Sequence, residues 1–213
     1  MALIYYITDR KLLPNNGGKD QALREKVRAA FTAGVDYVQV RENDLGGGPL
    51  ASLVEDLARM LEKSGPPGDA RRKVRLLVNS RLDVARTCRA DGVHLPADSL
   101  PVAAVRNYVG KDWIVGVACH SVEEVERAAE GGADHVLVAP VFDTASKPGM
   151  MPLGLETFSG ICRSSRIPVF ALGGVTLGNA RSCIDAGATG LAGIRLFQQT
   201  PDLNAICAQL WQL

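Results

Sequence analysis

GGADHVLV (131–138) has two close copies in the chain, AGVDYVQV (33–40) and AGATGLAG (186–193). In each copy a helix-like stretch ends at Gly, the usual residue just past a helix C-terminus, and a short apolar run follows. CRADGVHL (88–95) is a more divergent copy of the same pattern. This repeated junction predicts that one helix-to-strand unit recurs along the chain.

Short apolar runs and longer helix-like stretches alternate on both sides of these junctions. The runs are LIYYI (3–7), YVQV (37–40), VRLLV (74–78), GVHL (92–95), WIVGV (113–117), HVLV (135–138), IPVFAL (167–172) and GLAGI (190–194). The helix-like stretches are 20–33, 49–63, 82–89, 101–109, 122–130, 155–163, 177–185 and 201–210. Eight such units predict an α/β protein, a single (β/α)8 TIM barrel over residues 1–213 with loops at 15–19 and 64–73. A Rossmann sheet is disfavoured because no GxGxxG opens the first helix.

The composition limits the classes of protein to which the chain is expected to belong. A net charge of +1 with 22% charged residues gives no reason to expect nucleic acid or a membrane surface as a partner. No apolar run approaches the roughly 18–20 residues that a membrane helix needs. The start MALIYYITDR lacks the features of a signal peptide, which predicts a cytoplasmic protein. Five scattered cysteines predict free buried thiols rather than a zinc site, with Cys119 singled out because His120 follows it.

Function in a barrel of this kind lies at the C-terminal ends of the strands. Gly173-Gly174 after strand 7 and Gly193-Ile194-Arg195 at strand 8 predict a phosphate site, because Gly lets backbone N–H groups approach an anion closely. Lys147, in the loop FDTASKPGMMPLG (142–154), is expected either to close over an anionic ligand or to be an ordinary surface Lys. Arg41 either grips a carboxylate or phosphate of a ligand or forms a salt bridge at the barrel mouth.

The three histidines differ in position. His135 opens strand 6 and His94 lies inside an apolar run, so both are interpreted as structural. His120 lies just past strand 5, at the barrel mouth. An imidazole at that place gives and takes protons near neutral pH, so His120 is predicted to be functional.

Eight segments carry a family resemblance. They are YITD (6–9), YVQVRE (37–42), LLVNSRLDVA (76–85), ADGVHL (90–95), GVACHS (116–121), ADHVLVAPVFDTASKPG (133–149), IPVFALGGV (167–175) and AGATGLAGI (186–194). Together they resemble the thiamin phosphate synthase/thiazole tautomerase (TenI-like) family nearly end to end. The resemblance implies a TIM barrel, a role in thiamin biosynthesis and a thiazole phosphate ligand whose phosphate rests on the loops after strands 7 and 8. Barrels of this type often dimerise, which leaves a homodimer open.

The synthase branch of that family joins a pyrimidine diphosphate to the thiazole phosphate and needs magnesium. Its pattern has Lys after Arg-Glu, Asp after Asn, and a Gly-Gln pair followed by Asp past strand 4. Here the corresponding residues are Asn43, Ser80, Pro96, Ala97 and Ser99, while Asp98 is one position off. Serine hydroxyls do not replace the carboxylates that a magnesium diphosphate needs.

The tautomerase branch isomerises a carboxythiazole phosphate to its aromatic form. It resembles the chain in the non-acidic residue after Asn79, in the turn VHLP (93–96) and in a His after strand 5. The resemblance implies that His120 is the acid/base without a metal or other cofactor, and that Glu42 orients or shares the proton. The residues it implies along the substrate are Gln39, Arg41, Asn79, Thr144 and Lys147. Arg195 replaces a small hydroxyl residue of the family, so that it either strengthens phosphate binding or blocks the pocket.

Three functions follow from these observations. The leading hypothesis is a metal-independent thiazole tautomerase. The alternative is a magnesium-dependent thiamin phosphate synthase. The third hypothesis is a non-catalytic regulator that only binds thiazole phosphate.

Overall fold

A computed structural model describes residues 1–14, 18–63, 73–146 and 149–213. Parallel strands close into one barrel in chain order, with the last strand paired to the first. The strands are β1 (Leu3–Ile7), β2 (Tyr37–Val40), β3 (Arg75–Asn79), β4 (Gly92–Leu95), β5 (Ile114–Cys119), β6 (His135–Val138), β7 (Val169–Ala171) and β8 (Gly190–Gly193). The α/β TIM-barrel prediction is confirmed.

Helices follow the strands and form the outer layer. They are α1 (Lys19–Thr32), α2 (Gly47–Lys63), α3 (Leu82–Thr87), α4 (Val102–Val109), α5 (Val122–Glu130), α6 (Gly154–Ser164), α7 (Leu177–Asp185), α8 (Arg195–Gln198) and α9 (Leu203–Trp211). None of them, in the described part of the chain, combines the length and the apolar character that crossing a membrane requires.

The structure differs from the sequence prediction in a few places. α8 and a 3₁₀ helix at Arg10–Leu12 were not predicted, because one or two turns carry no helical periodicity. β7 has three residues instead of six, and its start follows Pro168, which has no N–H to donate to a neighbouring strand. α1 already begins at Lys19, inside the loop predicted at 15–19. Positions 15–17 and 64–72 of the two predicted loops lie outside the described residues.

Alternate strand residues pack into two cores. Ile4 and Tyr6 of β1 face outward and join the core between strands and helices. Tyr5 and Ile7 face inward and join a smaller core inside the barrel with Phe170 of β7. Parallel strands that are buried on both faces are apolar at consecutive positions, which explains why the strands appeared as short apolar runs.

Aromatic rings fill the inside of the barrel. Tyr5 stacks on Tyr37 with ring centroids 5.1 Å apart and meets His135 edge-on at 5.6 Å. A Cβ at Gly116 would lie 2.4 Å from His135 Nε2 and 3.0 Å from His94 Nδ1, so the missing side chain makes room for both imidazoles. Burial lowers the pKa of His94 to about 3, with smaller contributions from His135 and Arg41, and burial lowers the pKa of His135 to about 4. Both rings are therefore neutral at physiological pH, in line with a structural role.

Acid is expected to destabilise the fold through these two imidazoles. An unfolded histidine has a pKa of about 6.5, well above the folded values of about 3 and about 4 for His94 and His135. The unfolded state therefore binds more protons below about pH 6.5, and the free energy of unfolding falls as the pH drops towards about 4. Thermal melts of wild type and of His94→Gln and His135→Gln between about pH 7.5 and about pH 5 measure this effect. The variants should show a shallower pH dependence, and a slope equal to that of wild type would contradict the assignment.

Candidate active site

The predicted functional residues gather at one end of the barrel. Asn79 ends β3, His120 directly follows β5, and Glu42 and Gly173 lie two residues past the ends of β2 and β7. Because the strands are parallel and the sheet is closed, the loops at these strand ends surround a single mouth. Residues far apart in the sequence are thus brought to one place.

His120 lies half-buried at the first position after β5. Its Nδ1 is hydrogen-bonded to the main-chain carbonyl oxygen of Ala139. Since a carbonyl oxygen only accepts, Nδ1 carries the proton and the neutral ring keeps its lone pair on Nε2. The main-chain N–H of His120 donates to Glu124 Oε2 at 2.6 Å. Backbone and ring are both fixed, and Nε2 is left as the basic atom.

The β6–α6 loop, residues 139–153, rests on both neighbouring strand ends. On the β5 side, the Ala139 N–H donates to the Cys119 carbonyl at 3.2 Å. On the β7 side, the Phe142 N–H donates to the Gly173 carbonyl at 3.0 Å. The same loop therefore contacts the ring of His120 and the predicted phosphate-binding end of β7.

The Gly173-Gly174 pair has a conformation that only glycine adopts without strain. The φ angles are 90° and 66°. A Cβ would lie 2.7 Å from Pro140 Cα at position 173 and 2.3 Å from the Asp143 carbonyl oxygen at position 174. The N–H groups of both glycines have no acceptor within the described ranges. Two backbone donors are thus available to an anion, and the predicted phosphate site at this strand end stays a prediction.

Arg195 connects the end of β8 to the β6–α6 loop. It is the first residue of α8, after Gly193 and Ile194 at the end of β8, and its Nη1 donates to Ser146 Oγ at 3.2 Å. Thr144 is half-buried, and its hydroxyl oxygen accepts from the Ser146 N–H at 3.3 Å, so it also stabilises its own loop. Lys147, predicted to close over the ligand, lies outside the described residues.

Gln39 and Asn79 form a polar patch beneath the mouth. Gln39 Nε2 donates to Asn79 Oδ1 at 3.0 Å, and Asn79 Nδ2 donates to Ser80 Oγ at 2.9 Å. Gln39 is only 2% exposed, and its Oε1 has no partner in the described part of the molecule. A buried acceptor without a donor is costly, so this atom is suited to a donor on a ligand. Arg41 is half-buried and makes no salt bridge among the described residues. Its positive charge contributes to the lowered pKa of His94.

Glu42 is placed differently from the expectation that it shares in proton transfer. Its carboxylate is buried and accepts from the Thr8 hydroxyl at 2.6 Å and from the Arg10 N–H at 3.0 and 3.2 Å. Burial raises its pKa, while the hydrogen bond from Thr8 opposes that shift. Because its oxygens are engaged by the segment after β1, this placement argues against proton transfer to a substrate. Glu42 instead anchors that segment to the end of β2.

Cys119 faces away from the mouth, although it precedes His120. It is fully buried in the outer core, and burial raises its pKa to about 12. The thiol therefore stays protonated and packs as an apolar group.

The sequence analysis missed both groups that hold His120. Ala139 acts through a main-chain carbonyl, for which no side-chain signal exists. Glu124 stands three residues after Ser121, the spacing of a helix capping box, and that spacing could have identified it.

The residues at the mouth do not fit the magnesium ion that the synthase alternative implies. Ser80 and Ser99 present exposed hydroxyls, and Glu42 is committed to Thr8 and Arg10. Across the described ranges no group of three His, Cys, Asp or Glu side chains is arranged to hold a metal ion. Magnesium in phosphate-transfer sites is bound through carboxylates together with substrate phosphates, and this donor set lacks those carboxylates.

Known proteins resemble the chain over almost its whole length. The family model described as thiamine monophosphate synthase matches residues 4–197. A thiamine-phosphate synthase of Roseiflexus sp. (strain RS-1) is 37% identical over 204 residues, which cover 95% of this chain and 81% of the relative. The thiamine-phosphate synthase of Syntrophomonas wolfei subsp. wolfei is 34% identical over 211 residues, which cover 99% and 95% of the two chains.

One solved structure is also similar to the chain over nearly its whole length. Thiamine phosphate pyrophosphorylase from Pyrococcus furiosus has a TM-score of 0.82 at 27% identity, and the match covers 99% of this chain and 94% of that chain. The three relatives carry synthase-type names, and none of these names distinguishes the tautomerase branch.

Glu42→Gln is expected to lower the stability of the protein. An amide offers one acceptor oxygen and places a donor where the carboxylate accepts from the Thr8 hydroxyl and the Arg10 N–H. A buried polar group left without its partner costs about 1–3 kcal/mol of unfolding free energy. Denaturant unfolding measures this loss, and exposed Glu126→Gln is the matched control, with a change within about 0.5 kcal/mol. If Glu42→Gln keeps wild-type stability but loses activity, the structural role is contradicted and Glu42 takes part in proton transfer.

Proposed function

The chain belongs to the thiamine monophosphate synthase family, and we propose that it isomerises a thiazole phosphate by moving a proton through His120. The observation that carries this proposal is the bond from His120 Nδ1 to the Ala139 carbonyl, which leaves the lone pair on Nε2 of a residue that directly follows β5. An isomerisation of this kind needs one group that first accepts and then donates a proton. A single imidazole does both near neutral pH.

The proposed step balances without an added reagent. Nε2 takes a proton from a carbon of the non-aromatic heterocycle, and the electron pair of that C–H bond enters the ring to complete the aromatic system. The imidazolium then returns its proton to the atom at which negative charge has developed. The ring of His120 ends in its starting state, with Nδ1 still bonded to Ala139.

The substrate phosphate is proposed to lie at the ends of β7 and β8. The free N–H groups of Gly173 and Gly174 supply donors, with Gly193 and Ile194 beside them. Arg195 adds a positive charge, and no carboxylate pairs with it among the described residues, so it strengthens phosphate binding.

The heterocycle is proposed to lie between this phosphate site and the β2–β3 side of the mouth. Gln39 and Asn79 offer amide groups there, and Arg41 offers a guanidinium. Thr144 of the β6–α6 loop would close the remaining side, and closure by Lys147 stays a prediction from the sequence. The homodimer and the cytoplasmic location stay predictions from the sequence.

A second candidate function is the condensation of a pyrimidine diphosphate with the thiazole phosphate. The names of the relatives favour it. The residues at Asn43, Ser80 and Ser99 speak against it, because they supply neither a cation for the diphosphate nor carboxylates for magnesium. Purified protein, both phosphorylated precursors and magnesium test it directly. Turnover to thiamin phosphate would replace our proposal, whereas isomerisation without condensation supports it.

His120→Ala is expected to reduce isomerisation by about 10²–10⁴-fold, the usual contribution of a general acid/base. NMR in D₂O follows both the aromatisation of a carboxythiazole phosphate and the exchange of its carbon-bound proton. Cys119→Ala is the matched control, because it changes the adjacent residue on the outward face and should keep most of the turnover. Unchanged turnover in His120→Ala would show that the assignment is wrong. Substrate binding without turnover in wild type would leave the non-catalytic regulator as the function.

A further inference from the structure

We propose that Glu124 is a positioning residue that holds His120 in its working orientation, an inference that rests on the proposed function. The carboxylate of Glu124 accepts a hydrogen bond from the His120 main-chain N–H at 2.6 Å. A bond between a charged acceptor and a backbone donor is among the stronger hydrogen bonds in proteins. Glu124 therefore fixes the backbone of the residue whose ring carries the chemistry.

The local sequence explains how the contact forms. Ser121 is the N-cap of α5, and its hydroxyl oxygen accepts from the Glu124 N–H at 3.3 Å. In the usual capping box the acidic side chain returns to the N-cap residue itself. Here it reaches one residue further back, to His120. The start of α5 thus holds the residue that follows β5.

His120 is held from two sides that belong to different elements. Glu124 of α5 holds its backbone, and the Ala139 carbonyl after β6 holds its ring. Ala139 is in turn tied to the end of β5 by the bond from its N–H to the Cys119 carbonyl. Loss of Glu124 removes the bond that holds the His120 main chain, so the ring can move away from the Ala139 carbonyl. Without that acceptor, either ring nitrogen can carry the proton.

Glu124 lines a cleft beside the barrel. The cleft has a volume of about 530 Å³, lies between α4 and α5, and is also lined by Cys119, Arg127 and Ser99. The outward-facing Cys119 thiol also senses the charge of Glu124, which adds to the effect of burial on the pKa of that thiol. The contact through which Glu124 is proposed to act on the reaction is its bond to the His120 N–H.

The test compares Glu124→Ala, Glu124→Gln and the control Glu126→Ala. Glu126 is exposed in the same helix, so its removal takes away the same charge without touching His120 or its N-cap neighbour Ser121. Glu124→Ala should lower kcat about 10–100-fold with KM nearly unchanged, since small misplacements of a catalytic group have effects of this size. Glu124→Gln keeps an acceptor oxygen and should restore kcat to within about 3-fold of wild type. Melting temperatures of all three variants show how much of any change reflects stability.

A second measurement does not depend on turnover. ¹⁵N NMR of the His120 ring should show a single Nδ1–H tautomer in wild type and in Glu124→Gln, and exchange between tautomers in Glu124→Ala. If kcat and the tautomer are unchanged in Glu124→Ala, or if Glu126→Ala lowers kcat equally, the positioning role is overturned. If wild type has no isomerase turnover, the proposed function fails while the NMR comparison still decides the role of Glu124.

Discussion

β8 pairs with β1 from Leu3 opposite Gly190 to Tyr6 opposite Gly193, and this pairing closes the sheet. Closure removes both strand edges and separates alternate residues into an inner and an outer core. The junction requires a small residue, because a Cβ at Gly190 would lie 2.5 Å from the Leu3 carbonyl oxygen and 2.6 Å from the Phe170 ring. Without closure the strand ends would form a row instead of a ring, and His120 and Arg195 would not share one mouth.

The β6–α6 loop turns this ring of strand ends into a connected site. It holds the His120 ring through Ala139, contacts the end of β7 through Phe142 and meets Arg195 through Ser146. The proposed acid/base and the proposed phosphate site are therefore attached to the same segment. Movement of this loop on ligand binding would shift both together, which suits a reaction in which the phosphate orients the heterocycle over the base.

The fold could be predicted because its strands are buried on both faces. β1, β2, β4 and β6 begin and end where the apolar runs do. Candidate site residues could be named where a strand end and a residue type coincide, as for His120 and Gly173-Gly174, and their roles stay predictions. For Glu42 the sequence interpretation did not consider the direction of the side chain. Side chains along a strand alternate between the inside and the outside of the barrel. Because Gln39 points inward, this alternation places Glu42 outward. Because Gly116 faces inward, the same alternation places His120 inward and Cys119 outward. Contacts made by main-chain groups, such as Ala139, leave no trace in the sequence.

The similarity of the chain to named synthases does not conflict with the proposed isomerisation. The barrel, the glycine pair and the β6–α6 loop build the proposed phosphate site, and the family resemblance implies that both reactions begin with a thiazole phosphate. Condensation must also hold a diphosphate and stabilise it as it leaves, which requires cations and metal-binding carboxylates around the mouth. Isomerisation requires only one oriented imidazole. Asn43, Ser80 and Ser99 supply none of the groups that condensation needs, while His120, Ala139 and Glu124 form the unit to which we assign the proposed isomerisation. In this proposal a few residues on one scaffold separate the two chemistries.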